Sequence, residues 1–424
     1  MSEASMAGAA DRVSPLDKGL GALPVDCTPE QAVAQRWNLL REDLSLPAAV
    51  LSQQRLEHNL QWMQRFVQAY GAKLAPHGKT TMAPRLFRQQ LDAGAWGITL
   101  ATAQQTRVAH AHGVRRVLMA NQLVGRQNMA SVAALLADPG FEFFCLVDSA
   151  DQVEQLAQFF GAAGRPVQVL IELGPPGGRT GVRTDAQMQP LLAALAQAGA
   201  AVRLAGIEVY EGVLKDEGEI RTLLRRAVHW LQQLAGEGRL QRSPAVLTGA
   251  GSAWYDVVAA EFGRADIGGP IDVVLRPGCY LTHDAGIYQA AQVRIDQSNP
   301  VAQQMRASLL PALQVWAYVQ SLPEPGRAIV ALGKRDTAFE AVPPRPALRY
   351  RRGDAAPVAA PDHWQVTAMM DQHAFVQIRG DEDLRVGDML AFDISHPCLT
   401  FDKWRQLVVV DERYDVVDVI TTYF

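Results

Sequence analysis

The chain has 424 residues, enough for two domains or for one large domain with an appended module. Apolar residues make up 48% and charged residues 20%, and the net charge of −4 gives no electrostatic footprint for nucleic acid or anionic membranes. Four cysteines, Cys27, Cys145, Cys279 and Cys398, stand far apart, which suits a reducing cytoplasm better than a secreted disulfide scaffold.

Met1–Gly19 is small and polar, without the basic start and apolar stretch of a signal peptide, and is expected to be poorly ordered. No apolar run approaches the ~20 residues that span a bilayer, so the default location is the cytoplasm. Residues 1–45 are set aside as an N-terminal segment, partly disordered, with the option of joining a later domain. From Gln53 to Tyr70, Leu56, Leu60, Met63 and Val67 recur at helical spacing.

Short apolar runs then alternate with helical stretches. The runs read as strands at Ala72–Pro76, Gly97–Ala101, Val117–Ala120, Phe143–Val147, Val167–Leu173, Leu204–Val209, Ala245–Thr248 and Val273–Leu275. Helices follow the first seven, for example at Asp151–Gly161, Asp185–Ala198 and Asp216–Leu234. This alternation predicts an α/β fold, a (β/α)8 TIM-type barrel over residues 46–290. A doubly wound open sheet alternates in the same way and stays open as the alternative. Beyond residue 290 the runs Leu313–Ser321, Gly326–Leu332, Gln365–Met370, Phe375–Ile378, Asp388–Ile394 and Leu407–Val410 predict a C-terminal β domain over 291–424. Pro and Gly cluster between these runs, especially over Pro343–Pro361, and Tyr350–Pro361 reads as an exposed loop.

A barrel carries its chemistry at the C-terminal ends of its strands. Those ends here are Pro76-His77-Gly78-Lys79-Thr80-Thr81, Ala101-Thr102, Asn121-Gln122, Gly177-Gly178-Arg179-Thr180-Gly181, Tyr210-Glu211-Gly212, Thr248-Gly249-Ala250-Gly251-Ser252 and Arg276-Pro277-Gly278-Cys279-Tyr280. Thr248–Ser252 has the glycines and the strand-to-helix position of a phosphate loop, or of a plain turn capped by Ser252. Lys79 is the one lysine at these ends, a candidate Schiff-base amine or a solvated loop lysine. Together, a lysine and a facing phosphate loop are what pyridoxal phosphate requires. In the β domain, His396-Pro397-Cys398 places two zinc-type ligands two residues apart, or is a chance spacing. His373 enters the same domain and reads as structural.

These segments resemble the metal-dependent D-serine dehydratase and D-threonine aldolase family, in the alanine-racemase-like group of fold-type III pyridoxal-phosphate enzymes. The likeness runs from Leu46-Pro47-Ala48-Ala49-Val50 to the C-terminus. It implies Lys79 as the Schiff-base residue and Arg179 near the cofactor ring. It also implies Tyr210 as a cofactor-facing tyrosine, and Gly249, Gly251 and Ser252 as the phosphate loop with Tyr280 at the next strand end. His396 and Cys398 are implied as the metal pair. Members with aldolase activity typically carry Asp where this chain has Cys398. Thr81-Met82-Ala83 and Ala250 depart from the better-known members and resemble a bacterial D-serine or amino-acid deaminase branch.

The resemblance implies a zinc- and pyridoxal-phosphate-dependent homodimer. By this likeness it would act on a small-molecule amino acid of the D-serine type, giving a 2-keto acid and ammonia. Two rivals are a D-threonine-type aldolase and a non-catalytic pyridoxal-phosphate homeostasis protein. A racemase needs a second base on the opposite face of the ring, and none is assigned.

Overall fold

The computed structural model describes residues 11–424. The expected poor order of the N-terminus fails over residues 11–19, because Val13 is fully buried and bridges Cys27. Residues 1–10 lie outside the described residues. Between residues 13 and 44, Val13, Leu20, Trp37, Leu39 and Leu44 join a core that includes Val50, Trp316, Met389 and Val408. This apolar content ties the segment to the C-terminal sheet.

All eight barrel strands form: β2 (Lys73–Leu74), β3 (Ile98–Leu100), β4 (Arg116–Gln122), β5 (Glu142–Val147), β6 (Val167–Leu173), β7 (Val202–Val209), β8 (Ala245–Gly249) and β9 (Ile271–Leu275), counted after β1 (Ala48–Ser52). They pair in parallel in the order β2-β9-β8-β7-β6-β5-β4-β3. The ring is completed between β3 and β2, where Trp96 N–H donates to Leu74 O (2.7 Å), Thr99 N–H donates to Pro76 O (2.9 Å), and His77 bridges Thr99. Closure excludes the open sheet. Inside the ring, Ala75, Leu118, Phe144, Leu146, Leu170, Ala205, Val246 and Val274 fill the lumen, so the barrel is a packed core rather than a pore.

Side-chain caps start the outer helices where the sequence changes rhythm: Ser149 for Ala150–Ala163, Thr184 for Asp185–Ala198 and Asp216 for Glu217–Gly236. The helix after β1 spans Gln53–Ala69 and turns Leu56, Met63 and Val67 inward.

The second sheet contains β10 (Leu313–Glu324), β11 (Arg327–Val330), β12 (Arg345–Tyr350), β13 (Val358–Ala359), β14 (Gln365–Met369), β15 (Ala374–Gln377), β16 (Met389–Asp393), β17 (Gln406–Val410) and β18 (Val416–Thr421). Its main path is β13-β12-β16-β10-β1-β17-β18. Here β1 departs from the sequence reading: assigned to the barrel half, it pairs with β10 and β17 instead. The helix Ile287–Ser298 crosses the expected boundary at residue 290. Tyr350–Pro361 is not wholly a loop, because Val358–Ala359 pairs with β12 at the sheet edge. Pro346 disguised β12, and the sheet accommodates it at a register shift between Pro346 and Leu348. No helix among the described residues is long and apolar enough to cross a membrane.

Candidate active site

After β2 the chain makes one tight turn over Gly78–Thr80, which puts the exposed Lys79 side chain at the mouth of the barrel. Lys79 lines a cavity of about 510 Å³ with Arg179, Tyr210, Gly251, Ser252, His396 and Cys398. That volume is in the usual range for a small-molecule site. A larger groove of about 880 Å³ is lined by Arg116 and Glu142, at the N-terminal ends of β4 and β5, and contains none of the sequence-derived candidates. Barrel chemistry belongs to the opposite end, so the smaller cavity is the site.

The wall opposite Lys79 is built by the loops after β7 and β8. Glu211 is fully buried, and its carboxylate accepts the N–H groups of Ala250 (3.0 Å) and Gly251 (2.6 Å). Burial pushes its pKa up, although the backbone hydrogen bonds oppose the shift. Two amides expected to cradle a phosphate therefore already hold a carboxylate. Ser252 Oγ accepts from Cys279 N–H at 3.1 Å and ties the β8 loop to the β9 loop. The amides of Ser252 and Gly278 have no protein acceptor among the described residues. Arg179 is exposed, with its guanidinium 4.9 Å from the Tyr210 ring centroid.

Below them Arg276 is buried, paired with Glu208 and donating to Val209 O at 2.9 Å. Burial raises Glu208 to about 8 even though Arg276 pulls the other way. His77 Nδ1, Arg276 Nε and Glu208 Oε2 are buried without hydrogen-bond partners among the described residues. Burial holds the His77 ring well below its usual pKa, in its neutral form at pH 7.

On the β-domain side, Cys398 Sγ stands 3.7 Å from Cys279 Sγ and 3.3 Å from Thr80 Oγ1. The hydrogen bond with Cys279 draws the Cys398 thiol well below its usual pKa and moves Cys279 well above. His396 is raised, first by its hydrogen bond with Cys398. Asp284 is buried with Oδ2 unpartnered, and burial raises it to about 6. Among the described residues, no three His, Cys, Asp or Glu side chains already converge as a metal site.

Two sequence-derived residues do not reach the cavity. Gly249 is the buried last residue of β8, and a Cβ there would meet Phe262, Val209 and Val258 at 3.2 Å. Tyr280 is buried in the apolar core, its hydroxyl accepting from Gln90 Nε2 at 3.2 Å. Cys279 and Tyr280 both lie in the turn after β9, which sends Cys279 to the cavity and Tyr280 to the core. Gly251 does line the cavity, but its N–H is directed to Glu211. His373 is half-buried, its carbonyl accepting from Met370 N–H at 2.8 Å. Sequence reasoning missed Tyr288, which lines the cavity and whose ring centroid is 6.2 Å from that of His396. No motif marks it.

The donor set fits pyridoxal phosphate: a reachable lysine, two amides lacking acceptors, and unpartnered buried polar atoms beneath. His396 and Cys398 fit a divalent metal by donor chemistry alone.

Residues 51–266 match the family described as "Alanine racemase, N-terminal domain", and residues 312–410 match "Putative serine dehydratase domain". The chain is 27% identical over 403 residues to a D-threonine aldolase of Arthrobacter sp, covering 92% of this chain and 93% of that one. It is 31% identical over 171 residues to D-threo-3-hydroxyaspartate dehydratase of Delftia sp. (strain HT23), covering 40% and 44%. By structure, the D-threonine aldolase from Filomicrobium marinum superposes with a TM-score of 0.74 at 23% identity, over 90% of this chain and 95% of that one. The Delftia dehydratase superposes at 0.71 and 22%, over 91% and 99%; a D-threo-3-hydroxyaspartate dehydratase has also been solved as a histidine-to-alanine mutant and, metal-free, as a cysteine-to-alanine mutant two positions further on.

Proposed function

We propose, since the chain belongs to the alanine-racemase-like, fold-type III family of pyridoxal-phosphate enzymes, that it is a zinc-assisted dehydratase of D-β-hydroxyamino acids, D-serine first among them. Water leaves the substrate and is regained on hydrolysis, so the net reaction takes D-serine to pyruvate and ammonia. The observation that carries the reading is that Lys79 and the His396–Cys398 pair, 317 and 319 positions apart in sequence by subtraction, line one cavity.

Lys79 would hold the cofactor aldehyde, and the amides of Ser252 and Gly278 would face its phosphate. Bound there, pyridoxal phosphate supplies an electron sink for charge left at the substrate Cα. Lys79 Nζ is the base placed to take the Cα proton. His77, neutral by burial, adds no competing cation beneath. Hydroxide remains a poor leaving group. A side-chain acid typically contributes ~3–5 kcal/mol. Zinc lowers the pKa of water from about 15.7 to about 7, which at about 1.36 kcal/mol per unit bounds its help near ~12 kcal/mol. His396 and Cys398 are the side chains that would hold it, at the same two-residue spacing as the histidine and cysteine altered in the dehydratase mutants.

The likeness to D-threonine aldolase over 92% of the chain supports a second reading, Cα–Cβ cleavage. Cys398, where the aldolases typically carry Asp, favours dehydration. Product analysis on D-serine, D-threonine and D-threo-3-hydroxyaspartate separates the two. Keto acid with ammonia supports dehydration; glycine with an aldehyde overturns it.

A further inference from the structure

Cys279 is a sulfur group in the cavity wall that the proposed reaction leaves without a task. It lies in the turn after β9, on the barrel, whereas Cys398 follows β16 in the other domain. Both are free thiols, and their sulfurs stand 3.7 Å apart. Thr80 Oγ1 braces the pair, 3.3 Å from one sulfur and 4.0 Å from the other.

That spacing has a chemical meaning. Two thiolates bound to one tetrahedral zinc, each at about 2.3 Å, stand about 3.8 Å apart. The sulfurs can therefore share one ion with almost no movement. A disulfide would require them to close to about 2.05 Å. His396 lines the same cavity, two residues before Cys398. Because no three groups yet converge, its side chain must rotate to join both sulfurs.

We propose that Cys279 is a third protein ligand of the metal, making the set Cys279, Cys398 and His396 rather than the histidine–cysteine pair. Two cysteines and one histidine form a catalytic zinc set that keeps a fourth position for substrate oxygen or water. The inference rests on the metal reading above. Two thiolates favour zinc over manganese or magnesium. Metal binding takes both sulfurs as thiolates and pins the β domain to the barrel across the cavity.

Zinc-edge X-ray absorption on the cofactor-loaded protein counts the sulfurs directly. The wild type should show two at about 2.3 Å, and Cys279→Ser and Cys398→Ser one each. Zinc affinity of Cys279→Ser should fall by more than the roughly 10–100-fold that loss of an outer-shell partner costs. One sulfur in the wild type, unchanged in Cys279→Ser, overturns the third ligand and leaves the metal reading intact. A wild type that binds no zinc overturns both. Should Cys279→Ser fail to fold, the wild-type sulfur count still decides.

Discussion

Gly278→Ala tests how tightly the barrel mouth positions Lys79. The backbone at Gly278 is not in the left-handed region, so alanine is resisted only by space. A Cβ there would stand 2.5 Å from Thr80 Oγ1, 2.7 Å from His77 O and 2.9 Å from His77 Cβ. Restoring ordinary contacts of about 3.5 Å requires a shift of roughly 0.6–1 Å. The group that must give is the turn holding Lys79 and Thr80. Overpacking of this kind costs about 1–3 kcal/mol of stability. Misplacing a reacting group by about 1 Å costs up to ~10²-fold in rate. Ammonia release from D-serine should therefore fall roughly 10–100-fold in kcat/KM, with a lowered urea midpoint and some retained cofactor absorbance. Gly251→Ala is the control, since its nearest neighbour is Tyr210 Cε2 at 3.1 Å and a side chain can yield. Wild-type kcat/KM and stability in Gly278→Ala would refute the claim that this turn fixes the lysine.

Lys79→Ala should abolish the absorbance of the lysine-bound cofactor and nearly all turnover, and a spectrum matching the wild type would place the cofactor on another residue. Glu211→Ala orphans the amides of Ala250 and Gly251 and should cost about 1–3 kcal/mol in urea unfolding. It should also weaken cofactor binding in a titration, and unchanged affinity would mean that this carboxylate does not shape the cradle. Burial lowers His283 from 6.5 to about 4. Its contribution to stability is complete above pH 6.5 and is lost as pH falls through that window, by about 3 kcal/mol. His283→Asn keeps a residue that tolerates the positive φ found there, and should remove this part of the acid loss when unfolding is compared at pH 7 and pH 4. Equal losses in both proteins would show that another group carries the acid sensitivity.

The eight barrel strands were legible because each is a short apolar run closed by a capping residue or glycine, and those signals are local. Strand β1 was not, because its partners β10 and β17 lie more than 250 residues away and nothing in Ala48–Ser52 names them. At β12, Pro346 reads as a breaker until the register shift opposite it is seen. The run Val416–Thr421 did carry β-branched residues, yet the sequence reading stopped at Val410. In the site, Lys79, Ser252 and the His396–Cys398 spacing were visible as residue types, whereas Arg179 and Tyr210 entered only through the family resemblance; all six line the cavity. Side-chain direction did not follow: Cys279 and Tyr280 sit side by side in the turn after β9, and nothing in the sequence says which of them faces the cavity. Nor could any spacing reveal that Glu211 takes the Gly251 amide, or that Cys279 meets Cys398 across 119 positions.

In the proposed reaction the His396–Cys398 side of the cavity acts on the leaving group of a substrate held from the Lys79 side. The most direct measurement follows ammonia release by the cofactor-loaded protein from D-serine and from β-chloro-D-alanine, before and after zinc is stripped and restored. Chloride leaves without help, whereas hydroxide does not. Stripping should abolish activity on D-serine, zinc should restore it, and β-chloro-D-alanine should be largely spared. Equal loss on both substrates, or no loss on either, would contradict the proposed reaction.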